Sequence, residues 1–338
     1  MALAALVPKP EAEAAIEALR EEGVYDGERR VHEHDADHVA IPVTAAPVET
    51  TVAAVVDREP DYRTAGLESL LRDRGFATAE IERAPNSWAV IGDVILVAFG
   101  DCERREAVGE ALLSLHGEAD TVLARHGVAG ETRQPDVEVV AGSGDTETVH
   151  HEHGTAYALD LSRVVFAPGN KAERARMGEV VAADERVLDM FAGIGYFALP
   201  MARAGARVTA VEKNPEAFRY LAENASLNGV DDRVELVLGD CRDVVETRAA
   251  AGDPAFDRVV MGYYDAHEYL DAALTAVAAG GTLHVHAATP EAELWERPLG
   301  RVRAAADRAG REASVEARRT VKTHSEGVRH VVLDLAVE

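Results

Sequence analysis

Cysteine is almost missing from this chain: Cys102 and Cys241 are the only two in 338 residues, which excludes a disulfide framework and a cysteine-rich zinc site and fits a reducing compartment. Lysine is nearly as scarce, confined to Lys9, Lys171, Lys213 and Lys322, so arginine carries the positive charge. That charge is itself short, since 35 basic residues face 60 acidic ones for a formal net charge of -25. No apolar run approaches the roughly 20 residues that span a bilayer. Residues 1–20 are broken by Pro and Glu and lack a signal-peptide cleavage pattern. A soluble protein of the cytoplasm is expected, with no membrane partner.

Hydrophobic residues make up 47% of the chain, too many for a disordered protein. At roughly 150 residues per domain the length predicts two or three domains, each burying its own core. The acidic residues are spread along the whole length, which resembles the composition of haloarchaeal proteins, whose surface carboxylates keep them soluble in molar salt. Such a charge opposes a polyanionic partner in dilute buffer. In molar salt the Debye length shrinks to about 3 Å, and local arginines then matter more than net charge.

Three parts are expected. Residues 1–48 form a small N-terminal module, with an amphipathic helix after Pro10 that stops at Gly23 and a short strand over 38–43. Residues 49–165 mix helices near 66–75 and 106–116 with strands over 88–99, near 137–142 and over 146–161, an α+β middle domain without a glycine-rich loop of its own. Over 166–338 strands and helices alternate, which predicts a parallel sheet covered on both faces.

The most informative segment is RVLDMFAGIGYFALPMARAG, 186–205. An apolar strand runs to Asp189, Gly193 and Gly195 open a tight loop, and a helix begins near Tyr196, so backbone can approach a ligand at the strand's C-terminal edge. The third glycine of a dinucleotide fingerprint is missing. The next strand ends in Glu212, about 20 residues on, where a carboxylate can accept both hydroxyls of a ribose. A helix capped by Asn214 and Pro215 follows, and a third strand delivers Asp240 and Cys241 to the same edge. Three strand ends so equipped resemble the class I S-adenosylmethionine (SAM) methyltransferase fold, a Rossmann-like α/β architecture. In that fold the first region holds the methionine part, the second the ribose and the third the adenine amine. Seven strands are expected, the last over 329–337.

Upstream, VVFAPGNKAERARM (164–177), and downstream, the segment 257–288, extend this likeness, as do VIGDVILV (90–97) and TETVHHEHG (146–154). Over nearly its whole length the chain resembles the archaeal and eukaryotic enzymes that modify the purine 3′ of the tRNA anticodon. One branch of that family methylates guanine N1. The other moves the 3-amino-3-carboxypropyl group of SAM onto C7 of 4-demethylwyosine in wybutosine biosynthesis. The first branch has Asn-Pro-Pro or Asn-Leu-Pro after the fourth strand, where this chain reads Met261-Gly262-Tyr263, and Pro-Arg where this chain reads Pro168-Gly169-Asn170. The Phe-Ser-x-Gly-Asn-x-x-Glu-Lys/Arg pattern of the second branch fits Phe166 to Arg174 with Ala167 in place of Ser, and its His-Ile-His appears as His284-Val285-His286.

The resemblance therefore implies an aminocarboxypropyltransferase with SAM as donor and the anticodon stem-loop of tRNA, as in tRNA(Phe), as partner. It implies SAM contacts from Ala167, Arg174, Asp189, Gly193, Gly195, Glu212, Asp240 and Cys241, with Asn170 and His286 as candidates for a catalytic part. The alternatives are guanine-N1 methylation and a non-catalytic tRNA-binding protein that keeps a SAM site. Tyr263 and Tyr264 can stack on a purine or pack, and His284 and His286, on one strand face, can line the base pocket or form a satisfied core pair. Arg174, Arg176, Arg318, Arg319 and Lys322 are candidates for phosphate contacts. The histidines at 32, 34 and 38 and at 150, 151 and 153 lack a third ligand at metal spacing, so no metal is expected. A monomer is expected.

Overall fold

The computed structural model describes residues 2–27, 29–35, 37–58 and 66–338. The chain forms two compact units, Met1–Glu82 and Arg83–Glu338. In the first, β1 (Ala2–Pro8), β2 (His32–Glu33), β3 (His38–Val43) and β4 (Ala54–Arg58) make an antiparallel sheet in the order β2-β3-β1-β4. Strand alternation sends Ala5, Val7, Ile41 and Val43 to one face, where Leu19 of α1 (Ala12–Glu21) packs, and Ala4, Leu6 and Ala40 to the other. Helices α2 (Leu67–Asp73) and α3 (Thr78–Glu82) follow. The expected boundary after residue 48 cuts this sheet, because β4 pairs with β1.

The second unit opens with a four-stranded sheet, β5 (Trp88–Ile91), β6 (Val94–Val97), β7 (Thr121–Ala129) and β8 (Gln134–Gly142), in that order, with α4 (Arg105–Leu115) between β6 and β7. The hairpin β9 (Glu147–Glu152) and β10 (Thr155–Asp160) follows, then α5 (Lys171–Val180). Next come β11 (Arg186–Asp189), α6 (Ala198–Arg203), β12 (Arg207–Glu212), α7 (Pro215–Leu227), β13 (Val234–Leu238), α8 (Cys241–Ala251), β14 (Phe256–Met261), α9 (Leu270–Ala276), β15 (Val277–Pro290), α10 (Glu296–Ala309), β16 (Ala313–Ser325) and β17 (Val328–Val337). These seven strands form one sheet, β13-β12-β11-β14-β15-β17-β16, parallel as far as β15, with β17 and β16 antiparallel at one edge.

Adjacent residues of one strand feed opposite cores. Val187 joins Leu199 and Leu221 on the α6–α7 side, and Leu188 joins Val245, Leu274 and Val302 on the α8–α9–α10 side. The boundary expected after residue 165 does not separate compact units. A single core runs from Ile91 and Leu123 through Tyr157, Leu159 and Phe166 to Val187 and Val260. Asn224 of α7 and Asn228, which caps the end of that helix, also dock strand β10: Asn228 accepts from the Ala156 N–H at 2.9 Å, and Asn224 accepts from the Ala158 N–H at 2.7 Å. Their amide groups donate back to the carbonyls of the same two residues, Asn224 to Ala158 and Asn228 to Ala156.

Candidate active site

The C-terminal ends of β11, β12 and β14 open on a single cavity, where the doubly wound fold places its ligands. Ala167, Asn170, Arg174, Gly193, Glu212, Asp240, Cys241 and His286 all line it. Asp189 and Gly195 do not. Asp189 is fully buried beneath the loop, where Oδ1 accepts from the Phe191 N–H at 3.3 Å, and burial pushes its carboxyl up to about 7. Gly195 has φ +103, and a Cβ there would sit 2.5 Å from Leu199 Cγ, so it serves helix packing. The helix begins at Ala198, after the loop has used Tyr196 to donate to the Val165 carbonyl.

Glu212 shapes the centre. Its Oε2 accepts from the Gly193 N–H at 2.7 Å and its Oε1 from the Asn214 N–H at 2.6 Å, so the carboxylate is fixed while keeping lone pairs free. Burial pushes its carboxyl up, against these backbone donors. Asp240 caps α8 by accepting from the Arg242 N–H at 3.0 Å and pairs with the Arg242 guanidinium at 2.6 Å. That pairing, first in weight, holds its carboxyl far below the usual range. Its expected role as acceptor for an amine therefore competes with an internal partner. Burial pushes the Cys241 thiol up to about 12, which leaves it protonated.

Arg174 lies over the Phe166 ring and is sealed against Glu152 by bonds of 2.7 and 2.9 Å, while its Nη1 donates to the Ala167 carbonyl at 3.0 Å. It latches the 166–170 turn and is not free for phosphate. Arg319 is spent on Glu173 and Asp334, and Arg176 on Asp334 at 2.6 Å. Arg318 is exposed over the Trp295 ring. Burial, then the charges of Arg174, Arg125 and Arg133, hold the Lys322 ammonium below its ordinary value.

His286 lines the cavity but His284 does not: its Nδ1 meets Asp334 Oδ1 at 2.6 Å and its Nε2 meets Arg258 Nη1 at 2.6 Å. Tyr263 packs on Phe191 at 5.2 Å between centroids, and Tyr264 lies between His324 and His330 with the Arg133 guanidinium 5.6 Å above its ring. Among the described residues no group of His, Cys, Asp and Glu is placed to hold a metal ion, and no helix is long and apolar enough to cross a membrane.

Two parts of the lining are missing from the sequence reading. The tip of the β7–β8 hairpin brings Glu131, Thr132 and Arg133, tied down by Lys213 on Glu131 and by the Asn214 amide on the Thr132 carbonyl at 3.0 Å. The signal was the turn at Gly130, φ +69, between two strands of which only β8 was recognised. The other part is His330, four residues before Asp334 on one face of β17.

A family model described as the TRM5/TYW2 methyltransferase domain matches residues 148–315, and one described as the TYW2 N-terminal domain matches 67–146. The tRNA(Phe) (4-demethylwyosine(37)-C(7)) aminocarboxypropyltransferase of Pyrococcus horikoshii is 36% identical over 282 residues, 81% of this chain and 99% of that protein. The crystal structure of P. horikoshii TYW2 in complex with MeSAdo superposes with a TM-score of 0.68 at 34% identity, covering 80% of this chain and 97% of that one. Wild-type Trm5b from Pyrococcus abyssi superposes with a TM-score of 0.75 at 28% identity over 100% of both chains.

Proposed function

We propose that this chain, which belongs to the TRM5/TYW2 family, transfers the 3-amino-3-carboxypropyl group of S-adenosyl-L-methionine to C7 of 4-demethylwyosine in tRNA. The observation that carries the choice of branch lies after β14. Where the methylating branch has its asparagine, Met261 is fully buried in the α8–α9–α10 core, and a Cβ at Gly262 would sit 2.6 Å from the Phe197 ring. No amide reaches the cavity there to hold a guanine, and Tyr263 and Tyr264 follow directly as aromatic lining.

The chemistry is regiochemical. A sulfonium has three carbons open to displacement, and the one held in line with the nucleophile is attacked. In this reading Glu212 holds the ribose, while the 166–170 turn, latched by Arg174, places the methionine side so that its Cγ faces the base. C7 attacks Cγ, the Cγ–S bond breaks, and the electron pair stays on sulfur as 5′-methylthioadenosine. The substrate is read as tRNA(Phe) at its anticodon stem-loop, bound with the help of Lys322 and Arg318 by a monomer in the cytoplasm of a halophile. That the segments ahead of the seven-stranded sheet help grip the tRNA belongs to the same proposal.

Guanine-N1 methylation is kept as a second reading because Trm5b matches along the full length, whereas the aminocarboxypropyltransferase matches 81% of this chain. The by-product separates the two. Mass spectrometry after turnover finds 5′-methylthioadenosine if Cγ is attacked and S-adenosylhomocysteine if the methyl group is.

A further inference from the structure

Attack by C7 leaves a proton on that carbon, and something in the cavity wall must receive it. Most basic groups that line the cavity are already engaged. Glu131 is bonded to Lys213, Glu212 to two backbone N–H groups and, in the reading above, to the ribose, and Asp240 to Arg242. Burial keeps the proton on Cys241 and on Tyr196, Tyr263, Tyr264 and Tyr269. Asn170 offers an amide oxygen, an acceptor but not a base.

What remains among the described lining residues is a pair of imidazoles from neighbouring antiparallel strands. His286 of β15 and His330 of β17 are 2% and 1% exposed, and His286 Nδ1 lies 3.0 Å from His330 Nε2. The outer nitrogens, His286 Nε2 and His330 Nδ1, are buried without a partner. Phe197 flanks the first ring and Tyr264 the second.

We propose that this His286–His330 pair is the proton acceptor of the transfer, an inference that rests on the aminocarboxypropyl reading above. Two neutral imidazoles sharing one hydrogen bond have coupled tautomers. Whichever inner nitrogen carries the proton, one outer nitrogen is a bare acceptor and the other an N–H. A proton taken from C7 at the bare end is matched by movement of the shared proton across the 3.0 Å bond, so the positive charge spreads to the second ring. The C7–H bonding pair returns to the ring system, and no other reactant is needed.

The surroundings keep the pair neutral. Burial, then His330, His284 and Arg319, lower the His286 imidazole well below its ordinary value against an opposing pull from Asp334. Burial, then Lys322 and His324, bring His330 down to about 3. A neutral pair does not repel the incoming sulfonium. A weak base suffices, because the cationic C7 adduct is itself a strong acid, and the protonated pair then gives its proton to water.

The test compares wild type with His286→Asn and His330→Asn in a single turnover of SAM with 4-demethylwyosine tRNA whose C7 carries hydrogen or deuterium, following transfer of the C7 hydrogen or deuterium to water, with 5′-methylthioadenosine measured alongside. Each variant is expected to be slower by about 100-fold, to show a primary deuterium isotope effect absent from wild type, and to keep its SAM affinity by calorimetry. The wild-type rate is expected to be flat between about pH 5 and 9, where an ordinary histidine base would break near 6.5. Variants at the wild-type rate, a slowing without an isotope effect, or a wild-type break near 6.5 would overturn the pair's role. A wild type that releases no 5′-methylthioadenosine under these conditions would remove the underlying reading, and the pair's role with it.

Discussion

Glu212 carries the most at the scale of single residues. Its two backbone bonds fix a carboxylate toward the cavity before any ligand arrives. Charge-assisted bonds to a ribose contribute about 1.5–3 kcal/mol each. Glu212→Ala is therefore expected to weaken SAM binding at least about tenfold by calorimetry, with the circular dichroism spectrum unchanged; an unaltered affinity would take Glu212 out of the site. Spacing alone located this residue, because a strand's end is fixed by its apolar run and the carboxylate follows it. Asp189 and Gly195 show where spacing stops. Both sit in the right loop, but one is buried under it and the other is pressed against Leu199. Spacing gives a residue's place along the chain, whereas the side of the loop it faces depends on packing from α6 and α7.

Among the elements, α7 joins the middle segment to the SAM loop through Asn224, which is fully buried. It bonds the Ala158 N–H and carbonyl and donates to the Ile194 carbonyl at 3.0 Å. Removing its amide strands three buried backbone groups, and each costs about 1–3 kcal/mol. Asn224→Ala is expected to lower unfolding stability by about 3 kcal/mol or more in urea; a loss under about 1 kcal/mol would mean that water replaces the amide. The helix was legible from its cap and stop, but the Asn224 contact was not, because it joins residues 66 positions apart in the chain. The hairpin tip at Arg133 was hidden for the same reason. The latch between α5 and β9 carries a pH dependence. Burial raises the Glu152 carboxyl, but His150 and Arg174 outweigh it and bring it from its ordinary 4.5 to about 2. A folded value below the unfolded one gives stability that is present above about pH 4.5 and lost as pH falls toward 2. Glu152→Gln is expected to be less stable at pH 7 and to show a smaller loss on acidification, read from thermal midpoints; parallel curves for the two proteins would contradict the latch.

Across the whole molecule the net charge of -25 opposes the compact state by self-repulsion. Salt screens this, so the thermal midpoint is expected to rise between about 0.1 M and 1 M KCl, as the Debye length falls from about 10 to 3 Å; a constant or falling midpoint would argue against a salt-adapted surface. The charge is read from composition, and alternation made the doubly wound sheet legible. The joining of the middle and catalytic parts into one unit was not, because its core is assembled from Ile91, Leu123, Tyr157 and Val187, each ordinary within its own segment. The most direct test of the central claim is turnover in high KCl with SAM labelled in either the methyl group or the carboxyl carbon, offered tRNA bearing guanosine or 4-demethylwyosine beside the anticodon. Carboxyl label entering only the 4-demethylwyosine tRNA is the predicted result. Methyl label entering the guanosine tRNA would contradict it and assign this cavity, despite Met261 and Gly262, to guanine methylation.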